Sequence, residues 1–142
     1  MTNEKDIVVF CADVGSTNND NFGWSQVVQV RSDVYEIEDK GTEICELVNR
    51  IEAAVSRGNN AVTLGIESPL YLPIPENSSG LSSGRNFEGQ RSCFAPAGVN
   101  VTVIGLQQLT FILSKVDRSL DFTLNYEKWS QRSKEILLWE AF

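Results

Sequence analysis

Two carboxylates at the ends of apolar runs are the residues of this chain best placed to do chemistry. The run over residues 7–13 ends at Asp13, the run over residues 61–67 ends at Glu67, and a turn-forming segment follows each. Asp and Glu are poor strand residues, and a carboxylate beside a core is costly unless a cation or hydrogen-bond donors meet it. Parallel strands that end side by side bring such groups to the carboxyl edge of a sheet, where α/β proteins bind ligands. We therefore predict that Asp13 and Glu67 share a metal or ligand site.

The chain contains no histidine, which excludes catalytic sites that depend on that residue. Ser-His-Asp and Cys-His machinery and imidazole-bound zinc are ruled out. Two classes of site remain possible without histidine: carboxylates that bind Mg²⁺ or Mn²⁺, and loops whose backbone N–H groups bind phosphate. The three cysteines are odd in number and widely spaced. The apolar surroundings of Cys11 and Cys45 predict buried, reduced thiols and, by default, a cytoplasmic location.

The net charge of −7 comes from the first half of the chain. Residues 1–70 hold 12 acidic and 5 basic residues, whereas residues 71–142 hold 7 of each. Proteins that grip nucleic acid are usually basic, so tight nonspecific binding to DNA is disfavoured. A divalent cation would relieve the repulsion between the acids, although an acidic balance also serves solubility alone. No apolar run approaches the roughly 18 residues of a membrane span, so no membrane partner is expected.

The elements that must position the two acids are strands interrupted by helices. Residues 7–14, 23–30, 33–37, 61–67 and 136–142 are predicted strands, and the second and third are expected to form an antiparallel meander. Periodicity predicts one helix over about 43–57, begun by Thr42 and ended by Arg57-Gly58, and another over about 105–120. With no repeats and no linker, residues 1–142 are expected to form a single mixed α/β domain.

Residues 68–98 form a predicted loop that contains all four prolines and a Ser/Gly cluster. A loop of this length in a compact domain is usually a functional lid, a binding loop or a mobile segment. Arg85, Glu88 and Arg91 lie within it at three-residue spacing and would share one face of a helix. That face would either carry exposed ion pairs or bind an anion.

Three sets of short motifs in this sequence are similar to motifs of a known protein family. They are Ala12-Asp13-Val14-Gly15 with Gly23-Trp24, then Gly65-Ile66-Glu67-Ser68-Pro69-Leu70 with Leu72-Pro73, and finally Leu138-Trp139-Glu140. Together they resemble an uncharacterised family of predicted nucleases in the ribonuclease H-like superfamily, over nearly the whole chain. The resemblance implies a ribonuclease H-like mixed five-stranded sheet with flanking helices. It also implies that Asp13 and Glu67 bind Mg²⁺ or Mn²⁺ for hydrolysis of a phosphodiester in a nucleic acid or nucleotide.

The chain departs from that family pattern near its end. A two-metal site of the kind that hydrolyses phosphodiesters needs several oxygen ligands, and a further acid is expected on a late helix. The sequence stops at Phe142, so we expect either a C-terminally truncated domain or an incomplete site, with Glu140 as a third catalytic carboxylate. Arg85 and Arg91 are predicted to contact substrate phosphate.

The turn after the first strand supports a rival interpretation. Residues 13–18 also resemble the first phosphate loop of the actin-like ATPases and sugar kinases, in which backbone N–H groups approach phosphates. Ser16 and Thr17 are accordingly assigned to substrate binding rather than nucleophilic attack, since no general base is identifiable. Those proteins use two such domains, and neither a second phosphate loop nor an adenosine-binding Gly-Gly segment is found here.

Structural roles for the two acids also stay open. Asp13 could satisfy turn amides, and Glu67 could pair with Arg85 or Arg91 and fix the long loop. The alternatives to a nuclease are therefore a noncatalytic binding or assembly protein with a degraded site, and an actin-like nucleotide-binding fragment.

Overall fold

Strands and helices follow one another along the chain in the mixed order that the periodicity predicts. The computed structural model describes residues 6–17, 21–58, 60–72, 74–81, 83–85, 94–131 and 135–141. Within these residues the strands are β1 (Asp6–Asp13), β2 (Gly23–Arg31), β3 (Val34–Gly41), β4 (Asn60–Ile66), β5 (Asp121–Thr123) and β6 (Glu135–Glu140). The α-helices are α1 (Ile44–Ser56), α2 (Pro96–Lys115) and α3 (Tyr126–Gln131).

The described strands form one mixed six-stranded sheet in the order β3-β2-β1-β4-β6-β5. β1, β2 and β3 are antiparallel neighbours, as predicted for the meander, whereas β4, β6 and β5 run parallel to β1. Because β4 lies directly beside β1, the carboxyl ends of these two strands meet at one edge of the sheet. Ala12 pairs with Ile66 in this register, so the residue after each of them lies at the same level.

The sheet has one strand more than the sequence predicts, because β5 was missed. β5 has only three residues and joins the edge of the sheet beside β6, and alternation cannot be recognised over so short a run. β3 is also longer than predicted, since it extends to Gly41. Its residues are exposed on both faces for most of its length, which removes the alternation that marks a strand. The α/β class is confirmed, but the number of strands was wrong.

One face of the sheet carries the core. Alternate residues of β1 (Val8, Phe10 and Ala12) are buried on this face beneath α1 and α2. Full burial of a large apolar side chain stabilises the fold by about 1.5–3 kcal/mol, so this packing fixes the register that places the two acids. The helices contribute Leu47, Val48, Ile51, Ala54, Leu109 and Ile112.

The two long helices differ in how well the sequence predicts them. α1 lies within one residue of its predicted bounds, although Glu43 rather than Thr42 precedes it and no side chain caps it. Gly58 follows it at φ 75°, a left-handed conformation that glycine adopts without strain. α2 begins at Pro96 and ends at Lys115, whereas we predicted about 105–120. Pro at the first helical position is a recognised start signal, but the glycines and β-branched residues after it hide the helical period.

The cysteines are less buried than predicted. Cys11 is half-buried in β1 and Cys45 is exposed on α1, and both are free thiols. The prediction for Cys45 was wrong because the inward face of α1 is formed by its neighbours Leu47 and Val48. Burial raises the pKa of the Cys11 thiol.

α2 is the one helix among the described residues that is long and apolar enough to cross a membrane. Length and composition alone decide this test, and the buried core helix of a soluble protein passes it as well. Leu109 and Ile112 of α2 belong to the core cluster with residues of β1 and β4.

Candidate functional site

The structure brings Asp13 and Glu67 together at the carboxyl edge of the sheet. Asp13 is the last residue of β1, and Glu67 follows the last residue of β4. The backbone N–H of Glu67 donates to the carbonyl of Ala12 at 2.9 Å, which continues the parallel pairing by one residue. Both side chains are exposed and are in hydrogen-bonding contact with each other. This juxtaposition is what the two strand-end acids predicted.

The contact between two acids has an electrostatic consequence. The pKa of Glu67 is raised from 4.5 to about 7. The hydrogen bond to Asp13 is the largest cause, followed by partial desolvation and by repulsion from the charge of Asp13. Glu67 therefore keeps its proton up to about pH 7, and a cation that replaces this proton would relieve the same repulsion.

The space around the pair is small and open. A shallow cavity of about 240 Å³ is lined by Asp13 and Glu67 together with Cys11, Ser25 and Ala141. Since each water takes about 30 Å³ of liquid volume, the cavity has room for a hydrated ion and a group bound to it, rather than for a whole oligomer. A longer substrate would have to lie across the edge of the sheet.

Glu140 is engaged elsewhere. Its Oε1 accepts a hydrogen bond from the backbone N–H of Leu70 at 2.6 Å, and its Oε2 forms an ion pair with Nη1 of Arg85 at 2.5 Å. Glu140 pairs with Ile66 in the sheet, so its side chain lies on the face opposite that of Glu67. The structure therefore does not bring Glu140 to the acid pair.

Arg85 is a buried anchor. Only 4% of its side chain is exposed, and its guanidinium lies 4.7 Å from the centre of the Tyr71 ring. The ion pair holds this part of the long loop against β6. Arg85 thus pairs with Glu140, whereas the sequence allows a pair between Arg85 and Glu67. The predicted contact of Arg85 with substrate phosphate has no support in this arrangement. Arg91 and Glu88 lie outside the described residues.

Ser16 and Thr17 belong to a different cavity. They lie in the turn after β1, where they line a space shared with α2 and the start of α1. The carbonyl of Gly15 accepts a hydrogen bond from Nε2 of Gln108 at 2.5 Å, so α2 fixes this turn. Sequence reasoning missed Gln108, although a glutamine at a core position of an apolar helix was a signal that could have found it.

The two carboxylates of this site provide enough oxygen ligands for one Mg²⁺ or Mn²⁺ ion rather than two. Asp13 and Glu67 supply carboxylate oxygens, the ligands that Mg²⁺ and Mn²⁺ prefer, and Mg²⁺ commonly keeps several waters. Within the described part of the chain, no group of three or more His, Cys, Asp or Glu residues could hold a metal. The fold and the site thus define an α/β protein with a two-carboxylate edge site.

Comparisons with family models, with curated proteins and with solved structures returned no match to this chain. The ribonuclease H-like resemblance and the activity it implies consequently stay predictions.

Proposed function

We propose that this protein is a Mg²⁺- or Mn²⁺-dependent phosphodiesterase of the nuclease type, with a ribonuclease H-like fold. The observation that carries the proposal is the contact between Asp13 and Glu67, two exposed carboxylates on adjacent parallel strands. The meander β1–β3 beside the parallel strand β4, with acids at the ends of β1 and β4, supports the fold assignment.

Asp13 and Glu67 would hold the cation, and Glu67 would release its proton to do so. A bound cation polarises a phosphoryl oxygen and lowers the pKa of a bound water. Because the pKa of Glu67 is about 7, cation binding should strengthen as the pH rises through this value. The acidic balance of the chain favours a nucleotide or a short oligonucleotide as substrate over a long duplex, whose phosphates need a basic surface.

Titration calorimetry with Mg²⁺ and Mn²⁺ tests the cation site. Asp13→Asn should abolish binding while the protein stays folded, because one ligand and one charge are lost. Asp121→Asn is a matched control, since Asp121 is an exposed acid at the opposite end of the parallel strands. Unchanged binding in Asp13→Asn, or no binding to the wild type at millimolar metal, would refute the site.

Hydrolysis is tested separately with a single-stranded oligonucleotide and each metal. Cleavage that requires the metal and is lost in Asp13→Asn supports the nuclease proposal. Cation binding without cleavage favours the second candidate, a noncatalytic binding or assembly protein. The lack of a third acid near the pair among the described residues is the observation behind that candidate.

A further inference from the structure

The strand β3 forms one edge of the sheet and is exposed over most of its length. It pairs with β2 on one side and is the end strand in the order β3-β2-β1-β4-β6-β5. In an edge strand, the backbone N–H and C=O groups of alternate residues face away from the sheet, where a further strand can pair with them. With eight residues and no proline, β3 is long enough to be a template for such pairing.

The face of β3 that lies away from the helices is apolar. Ile37 pairs with Val27 of β2, and Val27 pairs in turn with Val9 of β1. Since Val9 alternates along β1 with residues of the core, this row of side chains lies on the face of the sheet opposite to α1 and α2. Tyr35 lies two residues before Ile37 and shares its face, and the two residues are 51% and 67% exposed.

The face of β3 that lies toward the helices is acidic. Glu36 pairs with Val28, which packs against the core. The carboxylate of Glu38 accepts a hydrogen bond from Gln26, a buried residue of β2. Neither Glu36 nor Glu38 forms an ion pair within the described residues. The exposed edge therefore carries an apolar row on one face and an acidic row on the other.

We propose that β3 binds an extended segment of a partner protein in which apolar and basic residues alternate. A segment added as a further strand gains affinity from backbone hydrogen bonds and specificity from its alternate side chains. Its apolar side chains would lie beside Tyr35 and Ile37, and its basic side chains would lie beside Glu36 and Glu38. The proposal is independent of the cation site, and either can fail alone.

The charge of β3 argues against a second copy of this chain as the occupant. Two β3 strands that pair antiparallel about a twofold axis keep the same face of both chains on the same side of the joined sheet. Glu36 and Glu38 of the two copies would then be cross-strand neighbours, and like charges in that position are destabilising. A basic segment gains from the same charges.

Fluorescence anisotropy with a labelled peptide that alternates lysine and valine tests the proposal on the full chain. The peptide has eight residues, the length of β3. The matched control has the same composition with all lysines in one block and all valines in another, so it carries the same charge but cannot place its lysines on one face. The control should bind at least about tenfold more weakly. Equal affinities would show that charge alone attracts the peptide and would overturn the proposal, as would a lack of binding at about 1 mM peptide.

Glu36→Lys changes the charge of the acidic row at an exposed position, so the fold is expected to persist. Its affinity for the alternating peptide should fall by about fivefold, because a favourable cross-strand pair becomes repulsive. Asp121→Lys makes the same charge change at an exposed position of β5, the strand at the opposite edge of the sheet, and should leave the affinity unchanged. An equal loss in both variants would contradict the assignment to β3.

Amide hydrogen exchange locates the bound peptide. Binding should slow the exchange of amides in β3, because the N–H groups that face outward become hydrogen-bonded, and should leave the amides of β5 unchanged. Protection that is absent from β3 would overturn the proposal. Sedimentation of the chain without peptide tests the other occupant, since a dimer that Glu36→Lys changes would assign the edge to a second copy and overturn the proposal as well.

Discussion

Replacing Asp13 with Asn should remove a pH dependence that Glu67 gives to the stability of the protein. In the folded state the pKa of Glu67 is raised from 4.5 to about 7, with the hydrogen bond to Asp13 as the largest cause. An acid whose pKa is raised by folding binds its proton more tightly in the folded state. Its contribution to the free energy of unfolding is therefore fully present below pH 4.5 and is lost as the pH rises to about 7.

The size of the effect follows from the same shift. At about 1.4 kcal/mol for each tenfold change in proton affinity, a fully buried group with this pKa would contribute about 3 kcal/mol. Glu67 is exposed, so solvent screening reduces the expected contribution to roughly 1 kcal/mol. That is still measurable against a total stability of about 5–15 kcal/mol for an ordinary domain.

Urea unfolding followed by tryptophan fluorescence, at a series of pH values across this window, provides the measurement. Other carboxylates add their own pH dependence, so the quantity to compare is the difference between wild type and Asp13→Asn at each pH. Asp13→Asn should gain roughly 1 kcal/mol relative to wild type as the pH rises from 4.5 to about 7. For the control Asp121→Asn, the free energy of unfolding should change with pH in the same way as for wild type. If the free energies of unfolding of wild type and Asp13→Asn change equally with pH, Asp13 is not the cause of the raised pKa of Glu67.

Two further predictions concern packing around the site. Arg85→Met should destabilise the fold by about 3–5 kcal/mol in urea unfolding, because it leaves the carboxylate of Glu140 without its buried partner; a loss below about 1 kcal/mol would show that this pair is solvated. Gly65→Ala should cost about 1–3 kcal/mol and shift the tryptophan emission, since a Cβ there would lie 2.5 Å from the ring of Trp139. Gly23→Ala, where a Cβ meets nothing within 4 Å, is its control, and an equal loss in both variants would contradict the steric explanation.

The acid pair could be predicted from the sequence because it depends on local rules. Asp13 and Glu67 each end an apolar run, and neighbouring parallel strands bring such ends to one edge. The direction of Glu140 could not be predicted in the same way. Alternation along a strand restricts each side chain to one of two faces. It does not reveal that the partners of Glu140 are Arg85, 55 residues away in sequence, and the N–H of Leu70, 70 residues away.

The role of a buried polar residue in a helix could not be predicted from the sequence either. Gln108 lies in an apolar segment, and its role depends on the carbonyl of Gly15, 93 residues earlier in the chain. Hydrophobic patterning records which residues face the core, but it carries no information about which distant backbone group needs a donor. The short edge strand β5 was missed for a related reason, because its three residues form a strand only through pairing with β6.

The carboxylate of Glu140 has a consequence for the integrity of the chain. It binds both Leu70 and Arg85 of the long loop, while Ile74 and Leu81 between them are 96% and 65% exposed. Exposed loop tips of this kind are preferred sites of proteolysis. A protease that cuts there would separate the polypeptide carrying both strand-end acids from the polypeptide carrying α2 and β6. The two pieces would stay docked through the sheet, so the protein is a natural candidate for reconstitution from two separately produced fragments.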